Sequence, residues 1–195
     1  MGAVVIPPAL LACAPNVAPI TLQAVAAVES GGNPLAVNVN GIHVQPPPAR
    51  DAREAAQVAE SYIARGYSVD IGLMQVNSRN LAALGTTVEQ VLDPCTNLHA
   101  AATILTADYA AAARTRGDGQ PALQAALSAY NTGDFYRGFA NGYVARYYGP
   151  GGVPALTGGV HEVTAVKRAA PSPPPNPFTA DTTVFVRETT NVRIE

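Results

Sequence analysis

Glu29-Ser30-Gly31-Gly32-Asn33-Pro34 closes an apolar, alanine-rich segment that begins at Val17. Good helix formers followed by glycine and proline predict a buried helix with an abrupt C-terminal end. Glu29 falls in the last turn of this helix, where the partial negative charge of the helix end disfavours a carboxylate. The apolar setting adds desolvation, so both effects raise the expected pKa of Glu29. Glu29 is therefore either a candidate proton donor or an ordinary solvated glutamate at a helix end.

A small sheet is expected directly after this helix. Val37 to Val39 and Ile42 to Val44 flank Asn40-Gly41, a pair that favours a hairpin turn because both residues accept positive φ. Tyr67 to Ile71 has extended character and predicts a third strand.

The remainder of the chain up to residue 148 has a mainly helical pattern. Helices are predicted over Asp51 to Arg65, Ser78 to Leu84, Cys95 to about Arg114, Pro121 to Tyr130 and Tyr143 to Tyr148. Thr86 to Glu89 has the spacing of a capping box for one more short helix. The predicted fold class is α+β and mainly helical, with a small antiparallel sheet inserted after the first long helix.

The composition changes after Tyr148, which predicts a domain over 1–148 and a tail over 149–195. The proline run Pro171 to Pro177 predicts a polyproline linker that cannot build a core. Thr182 to Ile194 is rich in Thr and Val and has strand character. We expect this segment to pair with a partner protein by adding a strand, and a strand docked on its own domain is the alternative.

Overall charge and hydropathy narrow the class of protein. The 195 residues include 12 basic and 14 acidic side chains, and this near-balance argues against nucleic-acid binding. The apolar stretch Ala3 to Ala14 is interrupted by Pro7-Pro8 and is too short to span a bilayer. It resembles neither a membrane helix nor a complete signal peptide, so we expect a protein that does not span the membrane.

Two further polar segments suit carbohydrate recognition. In Gly72 to Asn77, the amides of Gln75 and Asn77 are suited to acetamido and hydroxyl groups, whereas Leu73 and Val76 are expected in the core. Ala129 to Gly133 places Tyr130 and Asn131 at a helix end, and a further phenol follows at Tyr143. Tyrosines stack on sugar rings and form hydrogen bonds, although a tyrosine at a helix end is also a common structural residue.

The sequence contains no motif for a metal site, a cofactor site or a serine-hydrolase site. His43, His99 and His161 lack metal-ligand spacing, and Ser30 does not lie in a Gly-x-Ser-x-Gly turn. No cofactor and no metal are expected. Cys13 and Cys95 are the only cysteines, and their number alone leaves open two buried thiols or one disulfide.

Three segments occur together in an order that resembles the soluble lytic transglycosylases, a lysozyme-like family. They are Glu29-Ser30, Gly72 to Gln75, and Ala129 to Gly133. The resemblance covers roughly Cys13 to Tyr148. It looks closest to the branch that serves type IV secretion and conjugation, because of Cys13-Ala14-Pro15, Glu29 to Pro34, Asp70 to Asn77 and Asp93 to Leu98.

This resemblance implies roles for particular residues. Glu29 would be the single general acid/base, and Asp70 is either a second carboxylate or a structural residue. Residues that would orient Glu29 or bind the N-acetyl groups are Ser30, Met74, Gln75, Asn77, Tyr130, Asn131 and Tyr143. Cys13 and Cys95 would be joined, because both flank segments that match the family.

The resemblance also implies a function in the periplasm. The chain would cleave the MurNAc-GlcNAc bond of peptidoglycan glycan strands, form 1,6-anhydro-muramyl ends, and open the wall for a secretion machine. Its partners would be secretion-system proteins, bound through the C-terminal tail. The alternatives are a muramidase that resembles goose-type lysozyme and a wall-binding scaffold with weak catalysis.

Overall fold

The computed structural model describes residues 4–148, which are mainly helical with one small sheet, as predicted. The strands are β1 Val37–Val39, β2 Val69–Ile71 and β3 Val76–Asn77. The long helices are α2 Pro19–Glu29, α3 Ala52–Ala64, α6 Pro94–Arg116 and α7 Gln120–Thr132. The short helices are α1 Pro8–Leu11, α4 Leu81–Leu84, α5 Val88–Val91, α8 Arg137–Ala140 and α9 Ala145–Tyr148, and a 3-10 turn spans Ser78–Asn80. The predicted linker and tail strand lie outside the described residues, so the division at residue 148 stays a prediction.

The sheet has the order β1-β2-β3, and both pairs of strands are antiparallel. Its register places Asp70 of β2 opposite Asn38 of β1 and Asn77 of β3. Because successive side chains of a strand point to opposite faces, Val69 and Ile71 are buried in the core while Asp70 lies on the other face. The sheet therefore presents a row of polar side chains away from the core.

The hairpin predicted around Asn40-Gly41 is wrong. The two residues do form a turn, but residues 42–44 are not a strand, and β1 pairs with β2 instead. The reason is the side chain of Gln45. Its Oε1 accepts a hydrogen bond from Val39 N at 2.7 Å and its Nε2 donates to Val39 O at 2.9 Å. One amide side chain thus satisfies the backbone groups that a returning strand would have paired.

Helices α6 and α7 form the centre of the core. Leu98, Ala102, Leu105 and Tyr109 form a buried stripe along α6, at the spacing of one helical face. Alanines occupy much of the facing surface of α7, so the two helices approach closely. Backbone N–H of Gly119, between the helices, donates to the Tyr109 hydroxyl at 2.8 Å.

Side-chain caps fix where two of the helices begin. Asp93 accepts a hydrogen bond from Thr96 N at 2.8 Å, and Pro94 occupies the first position of α6. The capping box before α5 is formed by Thr87 and Gln90 rather than by Thr86 and Glu89. The predicted box was one residue out of register, because Gln serves at its last position as well as Glu.

Cys13 and Cys95 form a disulfide, as predicted, with their Cα atoms 5.4 Å apart. The bond joins the segment after α1 to the first turn of α6 across 82 residues of chain. Closing a loop of this length restricts the unfolded chain and stabilises the fold by about 4 kcal/mol in the chain-entropy model. Within residues 4–148, no helix combines the length and apolar character that crossing a membrane requires.

Candidate active site

Glu29 is the last residue of α2, and the chain turns sharply after it. Ser30, which caps the helix, donates its hydroxyl hydrogen to Leu73 O at 2.6 Å and accepts a hydrogen bond from Gly32 N at 3.1 Å. Gly31 and Gly32 both have positive φ, which glycine adopts without strain. Ser30 therefore ties the end of the Glu29 helix to the loop that follows β2.

Two tyrosines meet the Glu29 carboxyl from the far end of the domain. The Tyr143 hydroxyl donates a hydrogen bond to Glu29 Oε1, and the Tyr147 hydroxyl lies 2.8 Å from that of Tyr143. Because Tyr143 gives its hydrogen to Glu29, Tyr147 is the donor in the second bond. Both tyrosines are buried, and among the described residues Glu29 Oε2 has no hydrogen-bond partner. One carboxyl oxygen is thus fixed, and the other forms no hydrogen bond to the described residues.

Arg146 lies between these tyrosines in sequence and binds the same helix end. Its guanidinium donates to Val28 O at 2.6 Å and lies 5.8 Å from the centre of the Tyr143 ring. A cation at the C-terminus of a helix opposes the partial negative charge of the terminal carbonyls. Arg146 therefore holds α9 against the end of α2 and places positive charge near Glu29.

These surroundings raise the pKa of Glu29 from 4.5 to about 7. Burial has the largest effect and raises the pKa, because it penalises the anion. The hydrogen bond from Tyr143 lowers it, the negative charge of Asp70 raises it, and the positive charge of Arg146 lowers it. The predicted upward shift is confirmed, and the group is poised to gain or lose a proton near neutral pH.

The loop from Gly72 to Gln75 is a tight turn held by amide side chains. Gln75 has φ of 52°, which is rare for a residue other than glycine, and its own side chain secures the turn. Gln75 Nε2 donates to Gly72 O at 2.8 Å and to Ala36 O at 3.2 Å, while Oε1 accepts from Asn38 Nδ2 at 2.6 Å. Both amide hydrogens of Gln75 are thereby used, so the side chain orients the loop and has no hydrogen to donate to a ligand.

Asn97 of α6 supports this loop from inside the core. Its Oδ1 accepts from Met74 N at 2.7 Å, and its Nδ2 donates to Ile71 O at 2.9 Å and to Val91 O at 2.7 Å. A Cβ at Gly72, whose φ is 80°, would lie 2.4 Å from Asn97 Nδ2. The close approach of the two residues requires glycine at this position.

Met74 does not lie where a ligand could touch its side chain. Met74 was expected either to bind substrate or to orient Glu29. Its side chain is fully buried (0% exposed), so its polar contacts are made by its backbone. Met74 O accepts a hydrogen bond from the Tyr130 hydroxyl at 2.7 Å. Tyr130, at the end of α7, is thereby fixed against the loop.

Asp70 is held by two asparagines on the polar face of the sheet. Asn77 Nδ2 donates to Asp70 Oδ1 at 2.6 Å, and Asn40 Nδ2 donates to Oδ2 at 2.9 Å. Asn77 also bonds Ser68 through both of its amide atoms. Burial raises the pKa of Asp70, and the two amide hydrogen bonds oppose that effect. The carboxyl is fixed in place and acts on Glu29 through its charge.

A groove of about 830 Å³ brings most of these residues together. The sheet and its loops contribute one side, and α6 and α7 contribute the other. Its lining includes Asn40, Asp70, Gln75, Asn77, Asp108, Tyr130 and Asn131. Glu29 is not among the lining residues, but Asp70 lines the groove and influences the pKa of Glu29. Among residues 4–148, no group of three or more His, Cys, Asp or Glu side chains could hold a metal ion.

Residues 9–147 match the family model described as "Transglycosylase SLT domain". The chain belongs to this family. The match covers nearly all of the described residues, including Glu29 and the tyrosine pair Tyr143 and Tyr147. The SLT domain has a lysozyme-like fold, which confirms the fold expected from the sequence.

Curated relatives are identical to this chain at nearly half of the aligned positions. "Protein virB1" of Agrobacterium fabrum is 48% identical over 138 residues, which are 69% of this chain and 54% of that protein. "Type IV secretion system protein virB1" of Brucella abortus is 43% identical over 129 residues, 65% of this chain and 53% of that protein. The chain thus spans about half the length of the curated relatives it matches. No solved structure matches it.

Sequence reasoning missed three residues of this SLT site. The helix predicted over Tyr143 to Tyr148 would place Arg146 and Tyr147, three and four residues on, on the same face as Tyr143, so both could have been found from that spacing. Asn97 could have been found because Asn97, Ala101 and Leu105 form one buried row on α6. A polar residue within an apolar row must find internal hydrogen bonds, which marks it as a structural anchor.

Proposed function

We propose that this chain is a peptidoglycan lytic transglycosylase that cleaves the β-1,4 bond between MurNAc and GlcNAc and leaves a 1,6-anhydro-muramyl end. Membership of the transglycosylase SLT domain family supports this reaction class. The observation that carries the proposal is the state of Glu29. Its pKa of about 7 and its single fixed oxygen suit one carboxyl group that must first donate a proton and then accept one.

In the first half of the reaction, protonated Glu29 acts as the acid. It donates its proton to the glycosidic oxygen, the bond from C1 of MurNAc to that oxygen breaks, and the electron pair stays with the departing GlcNAc. Positive charge develops on the MurNAc ring, while Glu29 becomes an anion. The hydrogen bond from Tyr143 and the charge of Arg146 both stabilise this anion, since each lowers the pKa of Glu29.

In the second half, anionic Glu29 acts as the base. The 6-hydroxyl of the same MurNAc attacks C1, a new C–O bond closes the anhydro ring, and the hydroxyl proton passes to Glu29. No water is consumed and Glu29 returns to its protonated form. One carboxyl group therefore suffices, whereas most glycosidases use two.

The surrounding residues are proposed to divide into two groups. Ser30, Met74, Gln75 and Tyr130 position the loop beside Glu29, because their polar groups bond to other parts of the protein. Asn131 is exposed, lines the groove and has an Nδ2 group with no partner among the described residues. We therefore assign recognition of an N-acetyl carbonyl to Asn131, with Asn77 holding the adjacent wall.

A water-dependent muramidase is the second candidate, because Asp70 lines the same groove and could assist a water molecule. Mass spectrometry of the fragments released from purified sacculi separates the two reactions. The transglycosylase yields anhydro-muropeptides, which are lighter by one water than the products of hydrolysis. Reducing-end products alone would establish the muramidase, and an absence of any released fragment would favour a wall-binding scaffold.

The cellular role follows from the relatives. Because relatives 43% identical are named as type IV secretion system proteins, we propose that this chain opens the wall for such a machine. The disulfide between Cys13 and Cys95 fits an oxidising compartment such as the periplasm.

The segment 149–195 is proposed to bind secretion-system proteins by strand addition. Truncation after Tyr148 should leave the release of muropeptides from sacculi nearly unchanged but weaken co-purification with secretion components. Loss of folding or of wall cleavage in the truncated protein would instead show that the tail belongs to the enzyme.

A further inference from the structure

The α6 wall of the groove carries a carboxyl group for which the proposed reaction has no use. Asp108 lines the groove together with Ile104, one helical turn earlier on the same face of α6. Its charge acts on the buried hydroxyl of Tyr130, which places it on the Tyr130 side of the groove. The residue is half-buried, so its side chain is partly removed from bulk water at the edge of the groove.

Asp108 differs from the other carboxyl group that lines the groove. Asp70 accepts hydrogen bonds from two asparagine amides, whereas within residues 4–148 no hydrogen bond or ion pair engages the Asp108 carboxyl. Arg79 also lines the groove but forms no ion pair with Asp108. Burial without a partner raises the pKa of Asp108 from 3.8 to about 6. Near pH 7 the Asp108 carboxyl is still mostly an anion. No hydrogen bond from the described residues replaces the contacts with water that it lost on burial.

We propose that Asp108 is a binding site for an ammonium group of the substrate. A partly desolvated carboxylate is stabilised most by a cationic hydrogen-bond donor. The charge-assisted hydrogen bond replaces the hydrogen bonds to water that the carboxylate lost on burial. The other residues that α6 and α7 contribute to the groove, among them Ile104, Tyr130 and Asn131, are uncharged. Asp108 is therefore the group on this side of the groove that distinguishes charged from neutral ligands. This inference rests on the proposed function and adds a specificity to it.

Two sources in peptidoglycan supply an ammonium group. One is the side chain of a diamino acid in the stem peptide, and the other is a glucosamine that has lost its acetyl group. The chemistry at Asp108 is the same for both. Fragments that carry the ammonium group in only one of these places identify the source.

Binding measurements on the full chain test the inference in a variant that does not cleave the ligand. In a Glu29→Gln background, calorimetry would compare soluble muropeptides that carry a free amine with the same fragments after N-acetylation. We expect the free amine to bind about 10-fold tighter, in line with a charge-assisted hydrogen bond. Adding Asp108→Asn should bring this ratio to about one, and adding Asp108→Glu should retain most of it.

A matched control removes a carboxylate that lies elsewhere. Glu60→Gln changes an exposed group on α3 that does not line the groove, so the ratio should stay near 10-fold. Asp108→Asn should also have a Tm at pH 7.5 no lower than that of the parent protein, because an asparagine carries no charge to desolvate. A fall in Tm together with an unchanged binding ratio would show a structural residue and overturn the site.

The failure of this inference can be told apart from failure of the proposed function. If the unsubstituted protein releases anhydro-muropeptides from sacculi but its preference for free amines does not depend on Asp108, only the ammonium site is wrong. If no anhydro product appears and no preference for amines exists, both proposals are wrong.

Discussion

Tyr143 donates its hydroxyl hydrogen to the carboxyl of Glu29, although 114 residues of chain separate the two. The bond occupies Oε1 and is backed by Tyr147, whose hydroxyl lies 2.8 Å from that of Tyr143. The bond favours the anion of Glu29, while burial favours the neutral acid. The proton affinity of Glu29 is thus set by two opposing influences from different parts of the sequence, and each can be changed separately.

Glu29→Gln should abolish the release of muropeptides while the fold is retained. The amide keeps the shape of the side chain but cannot donate a proton, so the rate should fall by at least ~100-fold. Initial rates of fragment release from sacculi, with circular dichroism as the check on folding, measure the effect. Glu60→Gln, an equivalent change on the exposed face of α3, should leave the rate unchanged. Substantial anhydro product from folded Glu29→Gln would refute the assignment.

The same substitution should change the pH dependence of stability. Because the folded-state pKa of Glu29 (about 7) lies above its ordinary value of 4.5, its contribution to stability is full below pH 4.5 and is lost as the pH rises through 7. A shift of this size corresponds to at most about 3 kcal/mol at alkaline pH. Glu29→Gln should therefore raise the free energy of unfolding at pH 8.5 relative to the parent and change it little at pH 4. An equal effect at both values would contradict a raised pKa.

Tyr143→Phe should move the pH profile of the reaction towards higher pH. Removing the hydroxyl removes a hydrogen bond that lowers the pKa of Glu29, so that pKa rises above 7. The acid form then persists to higher pH, and the alkaline fall of kcat/KM shifts upwards even though the maximal rate decreases. Tyr136→Phe, which alters a tyrosine that is 69% exposed, should leave the profile in place. A profile that is lower but not displaced would mean that Tyr143 serves only in packing.

Gly72→Ala should destabilise the domain more than an equivalent change at Gly41. Both glycines have a positive φ, 80° and 84°, so alanine is strained at each by about 1 kcal/mol. At Gly72 the added Cβ would also meet Asn97 Nδ2 at 2.4 Å, whereas at Gly41 nothing lies within 4 Å. Overpacking against a buried, fully bonded amide adds about 2 kcal/mol more. Urea unfolding of the two variants gives the comparison, and equal losses would show that the Asn97 contact adjusts freely.

Much of the fold could be predicted because its signals are local. The end of α2 at Glu29, the beginning of α6 after Asp93 and the buried stripe of α6 follow from caps, glycine, proline and helical periodicity. The upward shift in the pKa of Glu29 was also predictable, since an apolar helix end signals burial. These features depend on neighbours a few residues away.

The prediction of the hairpin failed because a side chain formed the hydrogen bonds that a neighbouring strand was expected to form. Gln45 satisfies the backbone of Val39 and so removes the need for a returning strand, and no periodicity reveals that. For Gln75 the sequence left open whether the residue orients Glu29 or binds N-acetyl groups. Its amide bonds Asn38, Gly72 and Ala36, which become neighbours only in the folded chain. A side chain's capacity to form hydrogen bonds is visible in sequence, whereas the identity of its partner is not.

Glu29 and the residues that hold its end of α2 come from opposite ends of the described domain: Tyr143 bonds the carboxyl, and Arg146 bonds Val28 O. A chain interrupted between Glu29 and Tyr143, during synthesis or by a protease, would keep Glu29 but lose Tyr143, Arg146 and Tyr147 together. Such a fragment would carry the acid without the contacts that fix its geometry and its proton affinity. Under the proposed function, wall cleavage with this geometry requires a chain that extends through α9, so copies that end before Tyr143 would leave the wall of the producing cell intact.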